Sequence, residues 1–172
     1  MPRLHVCSLE LLHETVRRTD ASHVLTLMKN VGQVRTPASI APGRHLKLDF
    51  SDIVEERPGE VAPSLEHVHG ILDFVAGWDR VRPLVIHCYA GISRSTAAAF
   101  IAACALRPDQ SEQDIATLIR ARSPSAVPNA LLIRFADGRM GRNGRMIAAI
   151  DRIGAGNGAT AGTPFHIDVG DS

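Results

Sequence analysis

Three side chains in one short stretch, Cys88, Arg94 and Ser95, could together bind and attack a phosphate group. A cysteine thiolate is a nucleophile, and a helix N-terminus or a neighbouring cation lowers the pKa of a cysteine from its usual value of about 8.5. An arginine guanidinium can hold two phosphate oxygens at once, which a lysine cannot do. A serine hydroxyl next to the arginine lies within local reach of the sulfur. We therefore expect Cys88 to be a thiolate that attacks phosphorus.

The elements on either side of these residues should place them at one point. An apolar run, Leu84 to Ile86, follows Pro83 and predicts a buried strand. The alanine-rich run from Ser95 to Leu106 is apolar on nearly every side and predicts a buried helix. A loop that closes onto a helix N-terminus directs several backbone N–H groups at one point and favours a bound anion there. Gly91 permits the close backbone turn that such a loop needs.

The stretch HCYAGISRS resembles the signature loop H-C-x5-R-[ST] of the cysteine-dependent protein tyrosine phosphatases. The other two cysteines lack this pattern, because the residue six after Cys7 is His13 and the residue six after Cys104 is Gln110. The resemblance implies roles for the matching residues. Cys88 would become a phosphocysteine, Arg94 would bind phosphate and stabilise the transition state, Ser95 would help the thiolate leave, and His87 would support the loop. The backbone N–H groups of the cradle would come from Tyr89, Ala90, Gly91, Ile92, Ser93 and Arg94.

The same family uses an aspartate on a loop before the cysteine as the general acid, and a positioned acid contributes roughly 10²–10⁴ in rate. Asp52 is our preferred candidate, because it follows the predicted strand HLKLDF and begins a loop. This arrangement resembles the dual-specificity branch of the family. Asp49 is the alternative, although strand alternation places it on the same face as Lys47 and makes it a surface charge. Glu55 and Glu56 are more remote candidates.

Strand and helix patterns alternate along the chain and predict an α/β fold, with a central, mostly parallel sheet and helices on both faces. The predicted strands are residues 3–8, 23–28 and 45–50 and the strand before Cys88. The predicted helices are residues 8–18, 63–81, 95–106, 111–122, 128–136 and 143–153, with Ser8 and Ser111 as N-caps. Residues 1–153 then form one catalytic domain, and the Gly/Ala-rich residues 154–172 form a mobile tail.

Two later segments are interpreted as structural rather than catalytic. The sequence ARSPSAVPNALLIRF resembles the region after the signature helix in dual-specificity phosphatases, but the simpler interpretation is that Pro128 and Asn129 begin a helix, with Asn129 as its cap. The charged segment at residues 137–146 is interpreted as a solvated face.

Cys7 and Cys104 are predicted to be core residues, with a disulfide to Cys88 under oxidation as the alternative.

Composition excludes several classes of function. The chain has 172 residues, 45% of them hydrophobic and 22% charged, with a net charge of +1. This length and composition fit one soluble domain, and a net charge this small produces no broad positive electrostatic field that would attract nucleic acid or an anionic membrane. No signal peptide or membrane span is predicted. Three cysteines indicate a reducing compartment, so we expect a cytoplasmic protein. The basic residues are arginines except for Lys29 and Lys47, which favours a GC-rich, bacterial coding sequence.

These observations predict a protein phosphatase that hydrolyses phosphotyrosine monoesters, with phosphoserine and phosphothreonine as further substrates. The loop interior contains no lysine or histidine that could neutralise a second phosphate, so the site is suited to a single phosphate dianion. The expected partner is therefore a phosphorylated protein or peptide. No metal or other cofactor is expected, because His67 and His69 do not share a helix face. A catalytically silent phosphoresidue-binding module and a rhodanese-like sulfur transferase remain alternatives. The sequence leaves the oligomeric state open.

Overall fold

The computed structural model describes residues 1–170, which form a five-stranded sheet with helices on both faces. The strand order is β3-β2-β4-β1-β5, and all neighbours are parallel except β5, which runs antiparallel to β1. The mostly parallel α/β fold predicted from the sequence is confirmed. The elements in chain order are β1 (Arg3–Ser8), α1 (Leu12–Thr19), β2 (His23–Met28), a short 3-10 helix (Val31–Gln33), β3 (His45–Asp49), α2 (Leu65–Gly77), β4 (Leu84–Cys88), α3 (Arg94–Leu106), α4 (Glu112–Arg122), α5 (Ala130–Arg139), α6 (Arg145–Ile153) and β5 (Phe165–Asp168).

The two central strands, β2 and β4, are buried on both faces, which explains why their sequences are nearly continuous apolar runs. On one face of the sheet, Val24 and Val85 pack against Leu12 and Val16 of α1. On the other face lies the main core, which α3 crosses with eleven buried residues. The alanines of α3 let the neighbouring elements approach closely, so this helix is packed tightly in the protein interior.

Side-chain caps begin three of the helices. Ser64 Oγ accepts from the His67 backbone N–H (3.4 Å), and His67 Nδ1 accepts from the Ser64 N–H (3.0 Å), a reciprocal capping box for α2. Ser111 Oγ accepts from the Asp114 N–H (3.0 Å), so the predicted N-cap of α4 is confirmed. The predicted N-cap at Ser8 is wrong, because Ser8 is the last residue of β1, where it pairs with Cys88, and α1 begins only at Leu12.

The segment assigned to a mobile tail contains a strand that the sequence interpretation missed. Phe165 and Ile167 alternate with His166 and Asp168, and the two apolar side chains are buried where β5 pairs with β1. The alternation covers only four residues, the shortest run that indicates a strand, and it follows a Gly/Ala-rich stretch that indicates a loop. The predicted boundary between domain and tail at residue 153 therefore assigns β5 to the tail, although β5 is a strand of the central sheet. Residues 171 and 172 of the predicted tail lie outside the described part of the chain.

The charged segment at residues 137–146 is not simply a solvated face. Asp137 is buried, and its carboxylate accepts from the backbone N–H groups of Gly144 (2.8 Å) and Met146 (2.8 Å) at the start of α6. A carboxylate at a helix N-terminus satisfies orphan N–H groups and complements the helix dipole. Arg142 donates to Glu112 on α4 (2.9 Å). The segment therefore joins α4, α5 and α6, a long-range role that its local composition could not reveal.

The described helices, from residue 1 to residue 170, include none that is both long and apolar enough to cross a membrane.

Candidate active site

The candidate site lies at the carboxyl end of β4, in the centre of the sheet, where Cys88, Arg94 and Ser95 are found. Cys88 is the last residue of β4 and Arg94 is the first residue of α3, so the loop at residues 88–94 joins a buried strand to a buried helix. Gly91 has φ +72°, and a Cβ atom there would lie 2.9 Å from the backbone of Cys7 and Ser8. Glycine is thus required on two grounds, the left-handed backbone and the contact with the end of β1.

The Cys88 thiol is at the floor of this loop and is only 2% exposed. Its Sγ atom accepts a hydrogen bond from the Gly91 backbone N–H (3.3 Å) and lies 3.1 Å from Ser95 Oγ. Both groups can donate a hydrogen bond to the sulfur. The local contacts are therefore those that an anionic sulfur needs.

The carbonyl groups of the 88–94 loop are directed away from the sulfur, because surrounding elements donate to them. These bonds run from Leu9 N–H to Tyr89 O (3.1 Å), Gly162 N–H to Ala90 O (2.8 Å), Val127 N–H to Ile92 O (2.9 Å) and Asn129 N–H to Ser93 O (3.2 Å). In a trans peptide the N–H of the next residue is opposite the carbonyl. The N–H groups after these carbonyls therefore face the side of the loop that holds the sulfur, as the Gly91 N–H does, and an array of this kind can bind an anion in the concavity of the loop.

Arg94 lies at the edge of this concavity. Its Nη1 donates to the backbone carbonyl of Phe50 (2.9 Å), which fixes the guanidinium against the loop after β3. Its Nε is buried and has no hydrogen-bond partner within residues 1–170. A buried cationic donor without a partner is costly unless an anion meets it. The guanidinium is therefore anchored on one side and can donate to a phosphate on the other.

The structure brings Asp52 to this loop and leaves Asp49 elsewhere. Asp52 Oδ1 accepts from Ser93 Oγ (2.7 Å) and from Asn129 Nδ2 (2.9 Å), and the residue lines the same pocket as Arg94. Asp49, at the end of β3, instead faces the backbone N–H of Val31 (3.4 Å). The two more remote candidates, Glu55 and Glu56, are exposed on the loop that follows.

Asn129 connects three parts of the site, a role that the sequence interpretation missed. Its Oδ1 accepts from the Leu132 N–H (3.0 Å) and caps α5, as predicted. Its Nδ2 donates both to Asp52 and to the Ile53 carbonyl (3.1 Å), and so holds the acidic loop against the 88–94 loop. The only sequence signal was the Pro-Asn pair itself, because Asp52 is far from Asn129 along the chain.

His87, just before the cysteine, is fully buried beneath the loop. Its Nδ1 lies 3.2 Å from the Cys88 carbonyl oxygen, and its Nε2 lies 2.7 Å from Thr26 Oγ1. Burial lowers the pKa of His87 to about 4, against a smaller opposing effect of the hydrogen bond to the Cys88 carbonyl. The ring is therefore neutral at physiological pH, and it supports the backbone rather than supplying a positive charge.

A pocket of about 780 Å³ opens in front of the loop. Tyr89 stands at its rim and is 67% exposed, while Leu9, Met28, Val34 and Ile53 provide apolar lining. The remaining lining side chains are polar or charged: His13, Lys29, Asn30, Gln33, Arg35, Ser51, Asp52, Glu60 and Arg94. This volume exceeds the space that a phosphate alone would need and falls in the range of sites for organic ligands.

The other two cysteines belong to the core, as predicted. Burial raises the pKa of the Cys7 thiol to about 11 and that of the Cys104 thiol to about 12, so both are protonated at neutral pH. All three cysteines are free thiols. Cys7 pairs with His87 in the β1–β4 register, so its side chain is on the opposite face of the sheet from that of Cys88. Within residues 1–170, no group of three His, Cys, Asp or Glu side chains is placed to hold a metal ion.

Comparison with protein-family models and with curated protein sequences found no match. Solved structures do match. The Cydia pomonella PTP-2 phosphatase is 16% identical, with a TM-score of 0.62 over 78% of this chain and 84% of that chain. Human DUSP28 is 19% identical, with a TM-score of 0.59 over 80% and 90%. The human tyrosine phosphatase-like serine/threonine/tyrosine-interacting protein is 18% identical, with a TM-score of 0.57 over 76% and 83%. At these identities, the similarity establishes a shared fold.

Proposed function

We propose that this chain is a protein phosphatase of the cysteine-dependent, dual-specificity-like kind, which hydrolyses phosphotyrosine monoesters through a phosphocysteine. The supporting observation is the arrangement around Cys88, where the sulfur lies 3.1 Å from the Ser95 hydroxyl below inward-facing N–H groups. Beside it, Arg94 keeps a buried donor for an anion. The Cys88–Arg94–Ser95 arrangement suits the binding of a tetrahedral dianion next to a nucleophilic sulfur.

In the first step, the Cys88 thiolate attacks phosphorus while the bond from phosphorus to the tyrosyl oxygen breaks. The protonated Asp52 carboxyl gives its proton to that oxygen, so tyrosine leaves as the neutral phenol. The backbone N–H groups and Arg94 bind the equatorial oxygens, where charge is spread in the transition state. Asp52 is suited to this role because it lines the pocket and is fixed to the loop through Ser93 and Asn129.

In the second step, water attacks the phosphocysteine on the side that the phenol has left. The Asp52 carboxylate takes a proton from the water, the sulfur–phosphorus bond breaks, and inorganic phosphate forms. The Ser95 hydroxyl donates to the sulfur as its negative charge returns, which assists its departure. The thiolate and the protonated Asp52 are then restored for another turnover.

The pocket favours an aromatic phosphoester on a peptide. Its apolar walls suit a phenyl ring, and the exposed ring of Tyr89 offers a further contact at the rim. The loop interior, residues 89–93, supplies no basic side chain for a second phosphate bound at the same point. Phosphoserine and phosphothreonine esters are shorter and form the second substrate class. Three free cysteines suit a reducing, cytoplasmic location.

The test is hydrolysis of para-nitrophenyl phosphate and of a phosphotyrosine peptide by the wild type and by three variants. We expect Cys88→Ser to be inactive on both substrates. Asp52→Asn should lose about 10²-fold or more, chiefly on the peptide, whose leaving group needs the proton. Asp49→Asn is the matched control and should retain wild-type activity. Full activity of Asp52→Asn with loss in Asp49→Asn would transfer the acid role to Asp49.

Two outcomes would replace the proposal. A wild type that binds the phosphopeptide without hydrolysing it would be a phosphoresidue-binding module. A persulfide on Cys88 after incubation with thiosulfate, together with the absence of phosphatase activity, would indicate a sulfur transferase of rhodanese type.

A further inference from the structure

A row of hydrogen-bonded side chains extends across three strands beneath the 88–94 loop. His87 on β4 lies 2.7 Å from Thr26 Oγ1 on β2, through its Nε2. The same hydroxyl lies 2.7 Å from His45 Nε2 on β3. At the outer end, His45 Nδ1 lies 2.8 Å from the hydroxyl of the exposed Thr36. The row thus runs from the protein surface to the peptide that follows the nucleophile.

Strand order places these residues together. Thr26 pairs with His87 in the β2–β4 register, and both side chains are on the sheet face that α1 covers. In the β2–β3 register, His45 is beside Val24, two residues before Thr26 and on the same face. Thr26 is fully buried at the central strand, so its single hydroxyl is the only link that the row shows between the two imidazole rings.

The direction of every hydrogen bond in the row follows from one carbonyl group. The Cys88 carbonyl can only accept, so His87 Nδ1 must carry a proton and donate to it (3.2 Å). In a neutral ring, Nε2 then has a lone pair and must accept from the Thr26 hydroxyl. Since that hydroxyl has one hydrogen, it must in turn accept from His45 Nε2–H. His45 Nδ1 is then an acceptor, and the Thr36 hydroxyl donates to it.

The pKa values agree with this pattern of neutral rings. Burial lowers the pKa of His87 to about 4, and burial together with the charge of Lys47 lowers the pKa of His45 to about 4. Both rings therefore carry a single proton throughout the neutral range, and the hydrogen bonds alone decide which nitrogen carries it.

We propose that Thr26 and His45 are positioning residues for Cys88, with the Thr26 hydroxyl holding the Nδ1–H tautomer of His87 in the orientation that donates to the Cys88 carbonyl. This tautomer holds the Cys88–Tyr89 peptide by its carbonyl, and the Tyr89 N–H on the opposite side of that peptide is directed into the anion-binding concavity. The alternative tautomer would place a lone pair of Nδ1 against the carbonyl lone pairs and release the peptide. The consequence for turnover rests on the proposed phosphatase function, whereas the tautomer does not.

The tautomer can be measured without any substrate, by long-range ¹H–¹⁵N NMR of the histidine rings in the full chain at neutral pH. In the wild type, we expect the His87 Nδ1 signal to be that of a protonated nitrogen and the Nε2 signal that of an unprotonated one. In Thr26→Val, which has the same shape without the hydroxyl, Nδ1 should stay protonated because the Cys88 carbonyl still faces it, while the Nε2 signal should move downfield to that of a nitrogen that accepts no hydrogen bond. Thr26→Ser should restore the wild-type pattern. An Nε2–H tautomer in the wild type would overturn the proposal without need of a variant.

Kinetics provide the second readout. We expect Thr26→Val to lower kcat/KM for the phosphotyrosine peptide by about tenfold to a hundredfold, because a small misplacement at a reactive centre has an effect of that size. Thr26→Ser should restore the activity. Thr19→Val is the control: it removes a hydroxyl on α1 that donates to the Thr15 carbonyl of the same helix, and it should keep the wild-type kcat/KM. Equal loss in Thr26→Val and Thr26→Ser, or full activity with an unchanged Nε2 signal in Thr26→Val, would show that the row only fills the core. If the wild type hydrolyses nothing, the proposed function fails while the tautomer measurement still decides the positioning role.

Discussion

Asn129 Nδ2 donates to Asp52 Oδ1 over 2.9 Å, and this contact joins the start of α5 to the loop that carries the proposed general acid. The same oxygen of Asp52 accepts from Ser93 Oγ, within the 88–94 loop. The carboxylate is therefore held against the 88–94 loop by residues from two other parts of the chain. Asn129 fixes the position of the acid through one side of its amide and caps a helix with the other.

These two roles of Asn129 can be separated by substitution. Asn129→Ala loses both the cap and the contact with Asp52, whereas Asn129→Ser retains a capping oxygen but is too short to reach Asp52. We expect both variants to lose about tenfold in kcat on the phosphotyrosine peptide, because the free energy of one hydrogen bond to a charged group corresponds to a change in rate of about that size. Both should retain more activity on para-nitrophenyl phosphate, whose leaving group does not need the proton.

Thermal unfolding supplies the control for Asn129. Only Asn129→Ala should be destabilised through the cap, by about 1 kcal/mol relative to Asn129→Ser. If Asn129→Ser keeps full activity on the peptide, the contact with Asp52 does not contribute to proton transfer.

Gly91 should tolerate no side chain. Gly91→Ala would combine a left-handed backbone with a contact of 2.9 Å to the backbone of β1, and we expect a loss of about 3 kcal/mol in the free energy of unfolding together with loss of activity. Gly43 has a similar φ of +83° but open space around its Cβ position, so Gly43→Ala isolates the backbone term and should lose about 1 kcal/mol. Urea unfolding of the two variants measures the difference. Equal losses would mean that the close approach of the loop to β1 imposes no constraint.

Stability should fall as the pH drops through the range in which only the unfolded chain binds protons on three histidines that are buried or half-buried in the folded chain. His5, His45 and His87 have pKa values of about 4, lowered from 6.5 mainly by burial. Above pH 6.5 these rings are neutral in both states and the effect vanishes. Between 6.5 and 4, protons bind preferentially to the unfolded state, and the free energy of unfolding decreases.

The magnitude of this effect can be estimated for the fully buried His87. Its shift corresponds to about 3 kcal/mol between the two limits. Urea unfolding measured from about pH 4.5 to about pH 7.5 should therefore show a steep decline on the acidic side and a plateau near neutrality. His45→Gln should reduce the slope, because one of the titrating rings is removed. A free energy of unfolding that stays level over this whole range would contradict the burial of these neutral rings.

The reactive loop and most strands could be predicted from the sequence, because their signals are local. The apolar run before Cys88 and the alanine-rich run after Arg94 identify a strand and a helix, and the chain between them contains the proposed nucleophile and the proposed phosphate-binding arginine. Asp52 could be chosen over Asp49 because alternation along β3 and the end of that strand are also local features. The same holds for the caps at Ser111 and Asn129.

What the sequence could not reveal depends on strand order and on distant contacts. The link between Thr26, His45 and His87 exists only because β2 lies between β3 and β4. The contact of Asn129 with Asp52 joins residues that are 77 positions apart. Residues 165–168 form a strand where they pair with the edge of β1, and an alternation of only four residues after a Gly/Ala-rich stretch is a weak local signal.

The central claim is that Cys88 carries the phosphoryl group during turnover. Acid quenching of the wild type and of Ser95→Ala during hydrolysis of a phosphotyrosine peptide, followed by peptide mass spectrometry, tests it directly. We predict one phosphoryl group on the peptide that contains Cys88, with a larger fraction in Ser95→Ala because the sulfur leaves more slowly without the hydroxyl at 3.1 Å. The label should be absent from Cys88→Ser. Continued hydrolysis of the peptide by Cys88→Ser, or turnover by the wild type with no phosphoryl group on Cys88 in either protein, would contradict the mechanism.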